Sequence, residues 1–276
     1  MHQQENQVEE MHLKHFNFIH LIFFIMAEQS GIIRLKGTIG GISFYKSGDG
    51  YLAREKGGVS AQRIASDPAF QRTRENNAEF GTAGKAGKLV RNAIQVLLQQ
   101  AKDKRCVGRL TRSLLAVIKT DETHIRGERQ VADGNMELLN GFEFNNNGKL
   151  GSTLFTPFTN SLDRSTGELN LNLEAYQANI RIVAPGGTTH YRIHYGGAEL
   201  DFVEKVFTFG MDQGAILPYD SASQAAQTLS VALTADSILP VIGVLGVEFF
   251  QEVNGEMYPL KNGTYNALAV TLVDQV

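Results

Sequence analysis

Two spacings of apolar residues divide the chain. Between residues 66 and 120 apolar and small residues recur every three to four positions. Phe70, Phe80, Ala83, Gly87, Val90, Ile94, Leu97 and Ala101 form one series, and Val107, Leu110, Leu114, Val117 and Ile118 a second. Ser66 or Asp67 stands as an N-cap with Pro68 at the first helical position, where its missing N–H costs nothing. The spacing predicts a helix to about residue 101 and another over 105–120, packed as an antiparallel pair. Glycines at 81, 84 and 87 each weaken a helix by roughly 1 kcal/mol relative to alanine. The first helix is therefore expected either to break there or to pack closely on a neighbouring backbone.

Beyond Gly141 the spacing changes to short β-type runs between turn residues. Strands are predicted at 153–160, 168–173, 180–184, 189–195, 199–202, 206–209, 228–233, 241–253, 256–260 and 265–273. The stretch LDRSTGEL closes one hairpin. FFQEVNGEMYPL closes another through Asn254-Gly255, a pair suited to positive φ angles. Pro259 removes a ladder donor, so its strand belongs at an edge or changes direction there. Strands at this spacing in about 130 residues match an immunoglobulin-like β-sandwich.

Ahead of the helices lies the glycine-rich stretch KGTIGGISFYKSGDGYLAREKGG, residues 36–58. A phosphate loop requires a glycine, four residues, then Gly-Lys-Ser or Gly-Lys-Thr. That order is missing here, and in GTAGKAGKL Thr82 holds the glycine position while Leu89 follows Gly87-Lys88. Residues 42–46 and 51–55 instead alternate around SGDG, a tight reversal. Pairing Lys46 with Tyr51 sets Phe44 opposite Ala53 and Tyr45 opposite Leu52, so both faces carry apolar surface. A lone hairpin of this size is marginal in water and must pack on something. Phe44, Tyr45, Tyr51 and Leu52 are the candidate edge surface.

Composition then adds a contrast that the net charge of −3 conceals. Residues 31–129 carry 19 Lys and Arg against 9 Asp and Glu (+10), and residues 130–276 carry 6 against 16 (−10). With 276 residues and 42% hydrophobic content the chain has material for one large or two modest cores. The expected division is an N-terminal extension, 1–30, a basic hairpin and helical region, 31–129, and an acidic β-sandwich, 130–276. The run HFNFIHLIFFI, residues 15–25, is too short to span a bilayer. Read from Met11 it has the layout of an export signal through Lys14 and Ala27, implying a secreted or periplasmic protein. Read with Met26 as the start, it is an upstream extension of a cytoplasmic one. A native helix is the third reading.

Candidate chemistry is sparse. Cys106 is the single cysteine, which excludes an internal disulfide and a cysteine-based zinc site, and only His124 stands near it in sequence as a base. His190 and His194 in HYRIH lie about 13 Å apart on a strand, too far to share an ion, and read as surface strand histidines. Glu199, Asp201 and Glu204 lack the glycine and dense alternating ligands of a calcium loop. Neither a cofactor nor a metal is expected. Arg72, Arg74, Glu75 and Glu79 have ion-pair spacing on a helix. Arg72, Arg91, Lys102, Lys104, Arg105, Arg109 and Arg112 together make a candidate basic interaction surface for nucleic acid, on charge alone.

The stretches GIIRLKGTIGGISFYKSGDGYLAREKGG, DPAFQRTRENNAEFGTAGKAGKLVRNA and GVEFFQEVNGEMYPLKNGTYNALAV resemble a family of uncharacterised bacterial proteins. The resemblance covers about residues 27–276. It implies an N-terminal glycine-rich hairpin, central helices and a C-terminal β-sandwich, and supplies no catalytic residues to carry over. The expected fold class is α+β: a β-hairpin and two-helix segment followed by an all-β immunoglobulin-like sandwich. The expected function is that of a non-enzymatic structural or protein-interaction protein, self-assembling through its opposite-charge halves. Its expected partner is protein, including a second copy, with nucleic acid as the alternative and no transmembrane span.

Overall fold

The computed structural model describes residues 26–276 apart from Ile32, Asp49, Lys56, Gly57 and Lys102. The readings of segment 1–25, and Lys102 of the expected basic surface, lie outside the described residues. The fold mixes helices with antiparallel sheets and divides into two compact units, Met1–Phe70 and Gln71–Val276.

In the first unit, β1 (Met26–Glu28), β2 (Gly37–Ile39), β3 (Ile42–Ser47) and β4 (Gly50–Glu55) form one antiparallel sheet in the order β1-β4-β3-β2. The β3–β4 register pairs Phe44 with Ala53, Tyr45 with Leu52 and Lys46 with Tyr51, as the alternation around SGDG requires. The hairpin is thus extended by a strand on each side. A short helix, α1 (Ala61–Ser66), follows, with the Ser60 hydroxyl accepting from Arg63 N at 3.2 Å. Asp67 accepts from Ala69 N at 2.9 Å, so the expected cap holds a 3-10 turn at Pro68–Phe70. None of the described residues 27–70 is buried.

The second unit begins with three helices, α2 (Gln71–Ala93), α3 (Gln95–Gln100) and α4 (Cys106–Ile118). The glycines do not break α2; the break comes at Ile94. Burial of Ala83, Ala86, Leu89, Val90 and Ala93 offsets their propensity cost, and at Gly87 the missing Cβ lets Leu114 of α4 approach to 3.4 Å of the Cβ position. Leu110, Leu114, Val117 and Ile118 are buried as expected, but Val107 is exposed and Cys106 takes its place in the core.

The main sheet is built on two long strands, β8 (His190–Asp201) and β13 (Val241–Val253), paired antiparallel over ten positions. Along its other edge β13 meets β15 (Ala267–Asp274) and β14 (Glu256–Pro259), and β8 meets β9 (Val206–Gln213) and β10 (Leu217–Pro218). Asn254 (φ 54°) and Gly255 (φ 84°) make the positive-φ turn expected between β13 and β14, and Pro259 closes an edge strand. A second sheet has the order β12 (Gln227–Ala232), β6 (Glu168–Leu173), β5 (Phe158–Asp163), and the two-residue strands β7 (Tyr176–Gln177) and β11 (Ser223–Gln224) pair antiparallel. The stretch expected as a strand at 180–184 is instead a one-turn helix, α5 (Ala178–Arg181), which buries Ala178 and Ile182 at a spacing of four.

Both faces of the main sheet are covered. Ala198, Leu200, Ile242, Val244, Leu268 and Val270 share a core with α2, α3 and α4. The alternate residues Tyr191, Ile193, Tyr195, Leu245, Val247 and Phe249 share another with Leu169, Leu171, Leu229 and Val231 of the second sheet. The expected β-strand breaks at Gly196-Gly197 do not occur. A Cβ on Gly196 would meet Leu97 of α3 at 2.7 Å, and one on Gly197 would meet Leu169 of β6 at 2.6 Å. Those glycines admit a neighbour on each face.

Set beside the expected basic segment, 31–129, and acidic segment, 130–276, the helices from residue 71 and the sheets share one unit. The sheet region is not a free-standing all-β domain, because one face is completed by the helices. Ion pairs Arg72–Glu75, Arg126–Glu75 and Arg129–Glu79 lie inside the basic segment, and Arg164–Asp274 and Arg192–Glu248 inside the acidic one. An apolar core joins the helices to the sheet.

Candidate functional site

The helix α4 buries one face and turns Arg105, Arg109 and Arg112 away from it, since these residues fall at the cap and at intervals of four and three. Arg109 is fixed: it pairs with Asp103 at 2.5 Å, donates to the Glu143 carbonyl at 2.7 Å and lies 5.8 Å from the Phe142 ring centroid. Burial would raise the Asp103 carboxyl, but donation from Asn146 N, Arg109 and Arg105 N holds it below the ordinary aspartate range. Glu143 goes the other way: burial raises its carboxyl although it accepts from Leu150 N at 3.0 Å.

A groove with several cationic and amide side chains runs along this helix. One stretch, of about 660 Å³, is lined by Gln99, Lys104, Arg105, Asn147, Asn262 and Thr264. The next, of about 440 Å³, is lined by Arg112, Ser113, Asn140 and Lys149, and Arg109 and Asn146 belong to both. Among the described residues Lys104, Arg105, Arg112 and Lys149 form no ion pair. The far wall is held by Asn266, which donates to Gln100 O at 3.0 Å, and by Gly263, whose Cβ would meet the same oxygen at 2.3 Å.

The fold therefore gathers Lys104, Arg105, Arg109 and Arg112 and leaves out Arg72 and Arg91. Arg72 pairs with Glu75 on α2 at 2.8 Å, and Arg91 Nη1 is buried beside Gly87. Lys149, Asn146 and Asn262 were missed in the sequence. The signal for the first two was the polar run NNNGK at 145–149, whose return to α4 depends on tertiary pairing.

On the N-terminal sheet, register sorts the side chains. Ala27, Ile39, Ile42, Phe44 and Ala53 share one face with Lys46, Tyr51 and Glu55, while Tyr45 and Leu52 lie on the other. Arg34 and Lys46 stand 4.9 and 5.6 Å from the Tyr51 centroid, and Arg54 stands 5.4 Å from that of Tyr45. Ile39 is 63% exposed and Ile42 45%. Phe44, Tyr45, Tyr51 and Leu52 are all half-buried.

The other acid, histidine and cysteine candidates sit in structural surroundings. Asp121, His124 and Asp133 are close enough to hold an ion. Yet Asp121 already accepts from Thr123 N, Thr123 Oγ1, His124 N and Nδ1, and Gln130 N, at 2.7–3.1 Å. Those bonds outweigh its desolvation and hold its carboxyl far below the ordinary range. Glu199 is buried and accepts from Thr234 N and Oγ1, and Asp201 caps the following turn through Val203 N and Glu204 N. His194, expected at the surface, is fully buried beside Glu248 on the helix-facing side of β8. Cys106 is buried.

No family model, curated protein or solved structure matches the chain. Among the described residues no helix is long and apolar enough to cross a membrane.

Proposed function

We propose that the protein is a non-enzymatic structural or interaction protein that self-associates, with the N-terminal sheet as its contact surface. The supporting observation is that this sheet carries an apolar face, Ala27, Ile39, Ile42, Phe44 and Ala53, while none of the described residues 27–70 is buried. Sheets of this size draw stability from a covered hydrophobic face. A second copy is the occupant that fits. Phe44 stands directly across from Ala53, so a copy facing it with aligned strands lays each phenylalanine on the other's alanine, large on small. The contrast between the +10 and −10 segments adds steering between copies, and a rotation that does not close yields a filament. The two sheets that meet over a common interior serve in this reading as a rigid, immunoglobulin-like scaffold.

Static light scattering of the full chain tests this. Association is expected at micromolar concentration and should fall at least tenfold in the double variant Ile39→Lys, Phe44→Glu. Two monomeric proteins, or two that associate equally, contradict it.

A second reading, nucleic-acid binding, is favoured by the convergence of Lys104, Arg105, Arg109, Arg112 and Lys149 on one groove. The groove would follow phosphates without reading bases. With four cations outside ion pairs, duplex affinity should fall with salt at a log–log slope of about −3.6. Arg105→Ala with Arg112→Ala should shrink that slope by about 1.8. Absence of DNA or RNA binding by the full chain at low salt removes this reading.

A further inference from the structure

A separate cleft of about 400 Å³ lies between α2, the segment 130–133 and the turn after β8. It lies wholly within the Gln71–Val276 unit and is independent of the assembly surface. Its floor is apolar: Ala86 and Leu89, one turn apart on α2, face Val131 and Phe202. Lys85 of α2 and Lys205 of the turn after β8 both line it, and neither forms an ion pair among the described residues. The single carboxylate of the lining, Asp133, has His124 Nδ1 at 3.8 Å. Two ammonium groups against one carboxylate leave the cleft a net cation over a greasy floor.

The walls are held in place. Gln130 N donates to the buried Asp121 at 2.9 Å, and a Cβ on Gly134 would strike the Val117 carbonyl at 2.3 Å, so the 130–134 segment lies directly on α4. On the other side Asp201 Oδ1 accepts from Val203 N and Glu204 N, both at 2.9 Å. The turn then places Lys205 in the left-handed region at φ 60°. Glycine or asparagine would occupy that conformation at lower cost. The lysine side chain, which borders the cleft, is what the position gains in return. Val203, also in the lining, is 74% exposed and would be covered by an occupant.

We propose that this cleft binds a small organic anion with an apolar body, its charge between Lys85 and Lys205 and its body on Leu89, Val131 and Phe202. A concave site that sets apolar surface beside a few placed charges is the usual form of a small-molecule site, and this lining supplies both.

The test uses two fluorescent probes on the full chain: 1-anilinonaphthalene-8-sulfonate and its uncharged counterpart N-phenyl-1-naphthylamine. The sulfonate is expected to bind at one site at least tenfold more tightly than the neutral probe. Its amide shift changes should be confined to residues 82–89, 130–133 and 202–205. The double variant Lys85→Ala, Lys205→Ala should erase the difference while leaving thermal unfolding unchanged, because both lysines are exposed. Equal binding of the two probes, no binding of the sulfonate, shift changes elsewhere, or a variant that keeps the preference would overturn the proposal.

Discussion

His194 shows how one residue is governed by its neighbours. Its ring lies over Gly246, where a Cβ would sit 1.9 Å from Nε2, and neither nitrogen has a protein partner within hydrogen-bonding distance. Desolvation lowers its pKa to about 4; Glu248, with Oε1 3.7 Å from Nδ1, opposes the shift and Arg192 adds to it. The unfolded chain therefore takes up this proton first. Stability from the neutral ring is complete above pH 6.5, declines as pH falls to about 4 and is level below, an effect of about 3 kcal/mol. Asp121 acts in a lower window: its depressed carboxyl stabilises the fold above its unfolded value of 3.8, and that contribution is lost below it. Urea titrations between pH 7 and 4 should show the decline in the natural protein and a flatter curve in His194→Phe, whose flat ring suits the space over Gly246. Parallel curves would show that His194 is not the group responsible.

At the scale of elements, much was legible and some was not. The β3–β4 register, the Asn254-Gly255 turn and the buried stripe of α4 follow from local spacing, because each depends on neighbours within a few residues. The groove along α4 was half visible: three arginines at helical spacing are local, whereas Lys149 and Asn262 arrive through tertiary pairing. The double covering of the main sheet left a quieter trace. The run VIGVLGV in β13 is apolar without alternation, the mark of a strand buried on both faces. Glycines at 196 and 197 read locally as a break, yet each makes room for a distant residue, Leu97 at 99 positions and Leu169 at 28. Such long-range fits have no local signature. They do have a consequence. Because helices and strands share a core, helical ellipticity and tyrosine fluorescence should report one common transition for the Gln71–Val276 unit. Gly196→Ala should lower that transition by about 1–3 kcal/mol in both signals. A helical signal that melts separately, or falls alone in the variant, would contradict the shared core.

At the scale of the whole molecule, the charge contrast and the architecture separate. The basic helices after residue 71 complete the acidic sheet, joined to it by an apolar core and not by charge alone. Among the described residues the N-terminal sheet is the part without a buried core, and its apolar face is the surface we propose a second copy covers. Apolar contact and charge attraction respond oppositely to salt: the first persists at high ionic strength, the second weakens within a Debye length of about 3 Å at 1 M. The most direct test is amide hydrogen exchange over residues 42–55 of the full chain at increasing protein concentration in 1 M salt. Protection of β3 and β4 should rise with concentration while that of β8 and β13 stays constant. Protection of β3 and β4 that is unchanged between about 1 and 100 µM, spanning the micromolar range of a typical weak interface, would contradict completion of this sheet by a second copy.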